Sequence, residues 1–182
     1  MNRILISDVL LNGTRTDVVI EGNRFESLGA RPAGDFDEVI ACQGRRAIVP
    51  PFYNAHTHAA MTLLRGYADD VELAEWLTDH IWPAEAQLTT EDIYAGSRVA
   101  ILEMIKSGTV FFNDMYWDQP ATVRAATEMG VRAAIGLLYL SGGDGETNPR
   151  SARSNAELLE MAPDLPGRIY NDKATPSIYT VP

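Results

Sequence analysis

From Ile48 onward the sequence alternates between strand-like and helix-like segments, and this alternation limits the possible fold more than any other feature. Residues 48–54 are a strand candidate, and residues 109–113 are a second one, rich in β-branched and aromatic side chains. The helix predicted between them begins at an N-cap near Thr89 and ends at Gly108. Later segments are predicted as a helix at 120–129, a strand at 131–140, a helix at 152–161 and a last strand within 168–181. Such alternation is typical of βα units around a parallel sheet, so we expect an α/β fold.

Residues 1–47 lack helical periodicity and are predicted to form a small β module. Turn signals at Asn12-Gly13 and Gly22-Asn23 separate strands predicted at 4–11, 17–21 and 24–28, and a further strand is predicted at 38–42. A sheet of this size buries little core of its own, so we expect it to pack on another part of the protein. The predicted domains are therefore 1–47 and 48–182.

The charge balance and the cysteine content exclude several classes of protein. The chain has 15 Lys and Arg against 25 Asp and Glu, and its formal net charge of −10 disfavours binding to nucleic acid or to an anionic membrane. Cys42 is the only cysteine, which fits a reducing compartment, and a cytoplasmic location is predicted. No window approaches the roughly 18 apolar residues of a membrane span, and no secretion signal is visible at the N terminus.

His56 and His58 lie at the carboxyl end of the first predicted βα strand, with one residue between them. Because side chains alternate along a strand, both imidazoles are predicted to point to the same side, about 6 to 7 Å apart. At that separation they could converge on one divalent ion. By spacing alone, two ordinary polar histidines are the more frequent explanation, so the surrounding residues decide the interpretation.

The surrounding sequence extends the pattern well beyond the two histidines. Residues 50–58 read Pro-Pro-Phe-Tyr-Asn-Ala-His-Thr-His, and Met-Thr-Leu-Leu-Arg-Gly follows at 61–66. Further segments of the pattern are Glu75-Trp76-Leu77, Trp82-Pro83-Ala84-Glu85, Leu88-Thr89, Gly108-Thr109 and Asn113-Asp114-Met115-Tyr116. This combination resembles the amidohydrolase superfamily, in particular the branch of 5-methylthioadenosine/S-adenosylhomocysteine deaminases and atrazine chlorohydrolase-like enzymes. The resemblance covers nearly the whole chain and is strongest from Val49 to Trp117.

The resemblance implies the N-terminal part of a metal-dependent (β/α)₈ TIM barrel, preceded by part of a small β-sandwich domain. His56 and His58 match the first two metal ligands, and the implied metal is zinc, with iron or another divalent ion as the alternative. In the family, another histidine, an aspartate and a proton-shuttling glutamate come from later strands, so no catalytic acid or base is predicted here. A complete barrel takes roughly 250 residues, and about four of its eight strands are expected in this chain.

Two residues are predicted to bind substrate. Glu85 matches a position that accepts hydrogen bonds from ribose hydroxyls, although a solvated charge before a helix is the plainer alternative. Trp82, together with Trp76, could wall a pocket for a flat heterocycle, with core or dimer packing as the alternative. Adenosine-type members carry a substrate-binding arginine where this chain has Leu137. Where they have the histidine of a Pro-His-Ala motif, this chain has Pro176, followed by Ser177. Both departures remove polar groups.

Three other residues have weaker claims to a role in the site. Asp114 could support the metal site from behind its ligands or cap a helix. His80 is interpreted as capping a short helix near residues 73–78, and Arg65 as pairing with Asp69 or Asp70.

The leading hypothesis is hydrolytic deamination of a small nucleoside-like or other N-heterocyclic substrate by the intact protein, which is expected to be a homo-oligomer, a dimer. In this chemistry the metal lowers the pKa of its bound water, and the resulting hydroxide attacks the ring carbon that bears the amine. The alternative within the same branch is a chlorohydrolase or other C–N hydrolase. A hypothesis of a different class is a catalytically inert half-barrel, because two ligands are too few for a catalytic zinc site.

Overall fold

The computed structural model describes residues 2–140, 146–161, 169–170 and 178–181. The chain folds into two compact units, Met1–Pro50 and Pro51–Pro182. In the described part of the chain, no helix is long and apolar enough to cross a membrane.

The first unit is a five-stranded sheet built around its longest strand. The strands are β1 (Arg3–Leu11), β2 (Thr14–Glu21), β3 (Arg24–Gly29), β4 (Glu38–Ala41) and β5 (Ala47–Ile48). β2 pairs antiparallel with both β1 and β3, whereas β4 and β5 pair parallel with β1. Asn12 and Gly13 both have positive φ, which a tight two-residue hairpin turn requires. Val9, Val18 and Cys42 are buried in its small core, and the predicted strands of the β module are confirmed.

The second unit alternates strands with helices, as predicted. Its elements are β6 (Phe52–Thr57), a 3₁₀ helix (Ala59–Leu64), α1 (Leu73–Glu75) running through a π-helical turn (Trp76–Ile81) into α2 (Trp82–Glu85), α3 (Thr90–Ser107), β7 (Thr109–Asp114), α4 (Gln119–Met129), β8 (Arg132–Gly136), α5 (Pro149–Met161), β9 (Ile169–Tyr170) and β10 (Ile178–Val181). β6, β7 and β8 are adjacent and parallel. Ile101, Phe112, Val123 and Ile135 belong to the core that joins this sheet to α3 and α4.

β10 departs from the all-parallel sheet that the alternation predicts. It pairs antiparallel with β8, with Ile178 opposite Gly136, and β9 pairs antiparallel with β10. The edge of β8 opposite β7 can accept a strand in either direction, and β10 occupies it.

The strand predicted at 48–54 is wrong in its bounds. Ile48 belongs to β5, which pairs with β1 in the first sheet, whereas β6 begins at Phe52. Pro50 and Pro51 lie between the two strands. Proline has no N–H to donate to a sheet, so this pair interrupts the pairing and lets the chain pass from one sheet to the other.

The strand predicted at 131–140 is also shorter than expected, because β8 ends at Gly136. Beyond that point a side chain from α5 takes the place of a neighbouring strand. The amide of Asn155 accepts a hydrogen bond from the Leu138 N–H at 3.1 Å and donates to the Leu138 carbonyl at 2.9 Å. The backbone polar groups of Leu138 are therefore satisfied without continuing the sheet.

α3 positions the start of the site by packing closely against the 3₁₀ helix. It begins with the predicted cap at Thr89, which forms a reciprocal capping box with Asp92, and it ends at Gly108 in the left-handed conformation. A Cβ atom at Gly96 would lie 2.6 Å from the carbonyl oxygen of Ala60. Only glycine permits this approach, which brings the segment after β6 onto α3.

Candidate active site

His56 and His58 lie where β6 ends, at the carboxyl edge of the parallel strands. The register with β7 shifts between Asn54 and Thr57, which marks a β-bulge in β6. Asn54 Oδ1 accepts from the His56 N–H at 3.3 Å, and Asn113 Nδ2 donates to a backbone carbonyl of the bulge at 3.1 Å. The two imidazole rings lie with their centroids 4.9 Å apart at an interplanar angle of 79°. The two rings therefore lie next to each other at the end of β6, beside this bulge.

The orientation of His58 is fixed by the neighbouring strand. Its Nδ1 lies 2.5 Å from the carbonyl oxygen of Met115, directly after β7. A carbonyl can only accept, so Nδ1 carries the proton, and Nε2 of the neutral ring is left as the potential ligand atom. The next amide, that of Ala59, donates to Asp114 Oδ1 at 2.8 Å.

Asp114 is a buried carboxyl beside this pair of histidines. Its side chain is 1% exposed, and its Oδ2 has no hydrogen-bond partner. Burial raises the pKa of Asp114 from 3.8 to about 7, against the opposing effects of the Ala59 amide, the nearby Gln119 side chain and the Met115 amide. The Gln119 amide lies close enough to favour the charged carboxylate, but neither of its polar atoms has a partner in good hydrogen-bond geometry.

Glu85 forms the second polar centre of the site. It ends the helical segment that begins at Leu73 and is 7% exposed. Tyr116 Oη donates to one carboxylate oxygen at 2.7 Å, and Trp117 Nε1 donates to the other at 2.9 Å. Burial and the hydrogen bond to Glu85 raise the pKa of Tyr116 above its usual range, so its hydroxyl stays a donor. The alternative that Glu85 is a solvated surface charge is therefore wrong.

Arg150 connects the Glu85 helix to the start of α4. Its guanidinium donates to the backbone carbonyls of Glu85 and Leu88, each at 2.8 Å, and forms an ion pair at 2.9 Å with the buried Asp118. It also lies over the Trp117 ring at 5.2 Å from its centroid. These contacts hold the backbone beneath Glu85.

Two neighbouring cavities surround these residues. A cavity of about 190 Å³ is lined by His58, Glu85 and Tyr116. An adjoining cavity of about 520 Å³ is lined by Glu85 and Arg150. Trp82, Glu85, Trp117 and Leu140 line both. The predicted metal ligand His58 and the predicted substrate residues Glu85 and Trp82 therefore face a common space.

The two histidines fit one part of a metal site. Two imidazoles that bind one ion at about 2.1 Å, with a nearly tetrahedral angle between them, have ring centres about 5 Å apart. The observed separation of 4.9 Å matches this value. Among the residues that the structure describes, no cluster of three or more His, Cys, Asp or Glu side chains could hold an ion. Since catalytic zinc usually has three protein ligands, His56 and His58 suit two positions of a larger set.

Several sequence-based interpretations change in the structure. Leu137 is 6% exposed and belongs to the core, whereas Leu138 lines the smaller cavity. Arg65 pairs with Glu103 at 2.7 Å, so its predicted partners are wrong. Pro176, the other departure from the adenosine-type pattern, lies outside the described residues.

His80 lines neither of the two cavities, whereas three other residues belong to the site without having been predicted from the sequence. His80 lies within the π-helical turn, with its ring edge against Tyr67. Tyr116, Trp117 and Arg150 were not predicted as site residues. Arg150 had a detectable signal, because a basic side chain in the first turn of a helix opposes the helix dipole and suggests a specific partner.

Comparisons with known proteins agree with this arrangement. The chain is 52% identical over 125 residues to a 5'-deoxyadenosine deaminase of Methanosarcina mazei, covering 68% of this chain and 29% of that protein. It is 47% identical over 120 residues to a 5-methylthioadenosine/S-adenosylhomocysteine deaminase of Archaeoglobus fulgidus, covering 66% of this chain and 28% of that protein. The chain thus spans less than a third of the length of these two relatives.

Solved structures of similar fold support the same assignment. A zinc-bound adenosine deaminase from Xanthomonas campestris superposes with a TM-score of 0.72 at 27% identity, covering 90% of this chain and 40% of that one. The atrazine chlorohydrolase of Arthrobacter aurescens superposes with a TM-score of 0.65 at 21% identity, covering 87% and 43%, and shows the shared fold alone. The amidohydrolase family model matches residues 47–170. With the α/β architecture and the paired histidines at the strand ends, this match shows that the chain belongs to the amidohydrolase family.

Proposed function

We propose that the intact protein is a metal-dependent hydrolase that removes an amino group from a nucleoside-like or other N-heterocyclic small molecule. The observation that carries the proposal is the single cavity lined by both His58 and Glu85. This cavity combines His58, whose tautomer leaves Nε2 as the potential ligand atom, with the buried carboxylate of Glu85, which can still accept hydrogen bonds. The names of the relatives, which are deaminases of adenosine-like compounds, support the same substrate class.

His56 and His58 are proposed to hold a divalent ion, zinc by preference and iron or a similar ion as the alternative. The zinc in the Xanthomonas campestris relative supports this choice. When bound, such an ion supplies a hydroxide nucleophile near neutral pH. The residues of this chain would hold the ligands in place: the Met115 carbonyl selects the tautomer of His58, and the His56 ring lies beside it with the centroids 4.9 Å apart.

Glu85 and Trp82 are proposed to bind the substrate. Each Glu85 oxygen accepts one hydrogen bond from Tyr116 or Trp117, and a carboxylate oxygen can accept a second one, so a pair of ribose hydroxyls can still be bound. Trp82 is 53% exposed and borders both cavities. Its ring offers a flat apolar wall for a heterocycle.

The larger architecture belongs to the same proposal. Residues 48–182 would form the first half of a (β/α)₈ barrel, and residues 1–47 part of a β-sandwich domain. The intact protein would be a dimer in the cytoplasm. Alone, residues 1–182 would be inactive, because the described residues offer no third metal ligand.

A substrate panel with the zinc-loaded intact protein tests the activity. It should contain 5'-deoxyadenosine, 5-methylthioadenosine, adenosine, guanine and a chlorotriazine. We expect release of ammonia from the adenosine-like compounds. Release of chloride from the triazine alone would favour the chlorohydrolase alternative, and no turnover of any compound would favour the inert half-barrel.

The Glu85→Gln variant tests how the substrate is held. It should raise KM for adenosine more than for 2',3'-dideoxyadenosine, since only adenosine has both ribose hydroxyls. Equal increases for the two compounds would contradict a role for Glu85 in binding the ribose.

A further inference from the structure

The backbone changes direction at His58. β6 ends at Thr57, and the 3₁₀ helix begins at Ala59. His58 alone lies between them, with φ −124° and ψ 76°, and no side chain caps the helix from the N-cap position. The amide of Ala59, in the first turn, therefore needs an acceptor from elsewhere. The direction from which the His58 ring projects depends on how this amide is held.

Asp114 provides that acceptor. Its Oδ1 accepts from the Ala59 amide at 2.8 Å, and both residues are 1% exposed. Backbone atoms of Met115 add further contacts between these segments: its N–H donates to the Thr57 carbonyl at 3.4 Å, and its carbonyl accepts from the His58 ring at 2.5 Å. Among the described residues, Asp114 Oδ1 is the side-chain acceptor that holds the Ala59 amide.

Beyond the Ala59 amide, Asp114 has few polar neighbours, which are the Met115 amide and the Gln119 side chain. Its Oδ2 is buried without a hydrogen-bond partner, as are both polar atoms of the neighbouring Gln119 side chain. No ion pair to Asp114 is found among the described residues. Burying a carboxyl with so few partners is unfavourable, so its bond to the Ala59 amide is the feature that a function must explain.

We propose that Asp114 is a positioning residue for the metal ligand His58. Its Oδ1 holds the Ala59 amide and thereby fixes the turn from which the His58 imidazole projects, while the Met115 carbonyl fixes the rotation of the ring. The inference rests on the proposed function for the identity of the ion. The required chemical property of Asp114 is an acceptor at Oδ1, not a negative charge.

The test compares two variants of the intact protein. Asp114→Asn keeps an acceptor for the Ala59 amide, and its new NH₂ group faces the unpartnered Gln119 amide. Asp114→Ala removes the acceptor. Zinc affinity is measured by competition with a chelator, and hydrogen exchange of the Ala59 amide is followed by mass spectrometry in the metal-free protein. Asp114→Ala should weaken zinc binding by about 10- to 100-fold and accelerate exchange at Ala59, whereas Asp114→Asn should leave both close to the unmodified protein.

Ser97→Ala is the matched control for lost stability. Ser97 is buried and its hydroxyl contacts that of Thr122 at 2.9 Å, between α3 and α4, so its removal should lower stability without changing zinc affinity. Equal zinc affinity in Asp114→Ala and the unmodified protein would overturn the inference. So would an equal loss in Asp114→Asn or in Ser97→Ala, since these would indicate a role of charge or of general stability. If the unmodified protein binds no zinc, the proposed function fails, and exchange at Ala59 in the two Asp114 variants still decides the inference.

Discussion

The site contains two buried carboxyls that the fold treats differently. Glu85 receives one donor on each oxygen, from Tyr116 and Trp117. Asp114 receives a backbone donor on one oxygen, and its other oxygen has no partner. The proposed substrate side of the site is therefore internally satisfied, whereas the proposed metal side keeps unsatisfied polar groups. Buried polar groups without partners are expected where other parts of a protein complete a site.

Tyr116 connects the two halves of the site. Its ring lies 5.9 Å from the His58 ring, centroid to centroid, and its hydroxyl bonds to Glu85. It follows β7 by two residues, so the strand that supports His58 also supports Glu85. Changes at either carboxyl can therefore be compared within one structural unit.

The largest effect is expected from the metal side. Replacing His58 with alanine should lower kcat/KM of the intact protein by a thousandfold or more, roughly 4 kcal/mol or more, and should reduce its zinc content. His56→Ala should behave in the same way. His80→Ala is the matched control, because His80 packs against Tyr67, and it should retain zinc. Full activity in His58→Ala would show that His58 is not needed to hold the metal, and the proposed division of the site into a metal side and a substrate side would fail.

The next effect concerns the pH dependence of stability. Burial raises the pKa of Asp114 to about 7 in the folded protein from 3.8. Between these values the native state holds a proton that the unfolded chain releases, so the free energy of unfolding should fall as pH rises through this range. The difference of about 3 pH units sets a ceiling of roughly 4 kcal/mol.

Asp114→Asn removes this titration and serves as the comparison for that pH dependence. In chelator-treated protein, the variant should be more stable than the unmodified protein at pH 8, and the two should converge near pH 4. Urea unfolding at several pH values measures the difference. A constant difference across the range would show that Asp114 is not the responsible group.

Replacing the carboxylate of Glu85 with an amide should lower the stability of the protein at pH 8, whereas the same replacement at Asp114 should raise it. A glutamine accepts through only one oxygen, so either the Tyr116 hydroxyl must turn away or the Trp117 N–H loses its acceptor. We expect Glu85→Gln to destabilise the protein by roughly 2 kcal/mol at pH 8, measured by urea unfolding. If Glu85→Gln stabilises the protein as Asp114→Asn does, the two carboxyls do not differ in how well their hydrogen bonds stabilise the charged form.

The smallest effect is expected at the packing contact beneath the metal side. Gly96→Ala would place a Cβ atom 2.6 Å from the Ala60 carbonyl oxygen. The resulting strain of about 1–3 kcal/mol is offset by roughly 1 kcal/mol from the better helix propensity of alanine, so a net loss of up to about 2 kcal/mol is expected in thermal or urea unfolding. Ala95→Ser, at the exposed neighbouring position, should change stability by less than about 0.5 kcal/mol. A stabilised Gly96→Ala would mean that α3 does not need this close approach.

The sequence alone predicted the alternation of the main strands and helices from β6 to α5 and the placement of His56 and His58 one residue apart at a strand end, but not the 3₁₀ helix after β6 or the two separate strands β9 and β10. Hydrophobic periodicity, the cap at Thr89 and the stop at Gly108 are local properties, and they can be recognised without knowing the fold. The family resemblance selected Glu85, and the flat aromatic side chain of Trp82 made it a candidate wall for a heterocycle. None of these inferences needed contacts between distant residues.

Only the tertiary structure decided how these residues work together. The bulge between Asn54 and Thr57, the acceptor that Asp114 provides for Ala59 and the burial of Glu85 all depend on pairs of segments far apart in sequence. A side chain's partners are set by which elements pack together, and no local pattern encodes the distance between them. For that reason the sequence selected the candidate ligands and the candidate carboxylate, while the fold determined which polar atoms are satisfied and which have no partner.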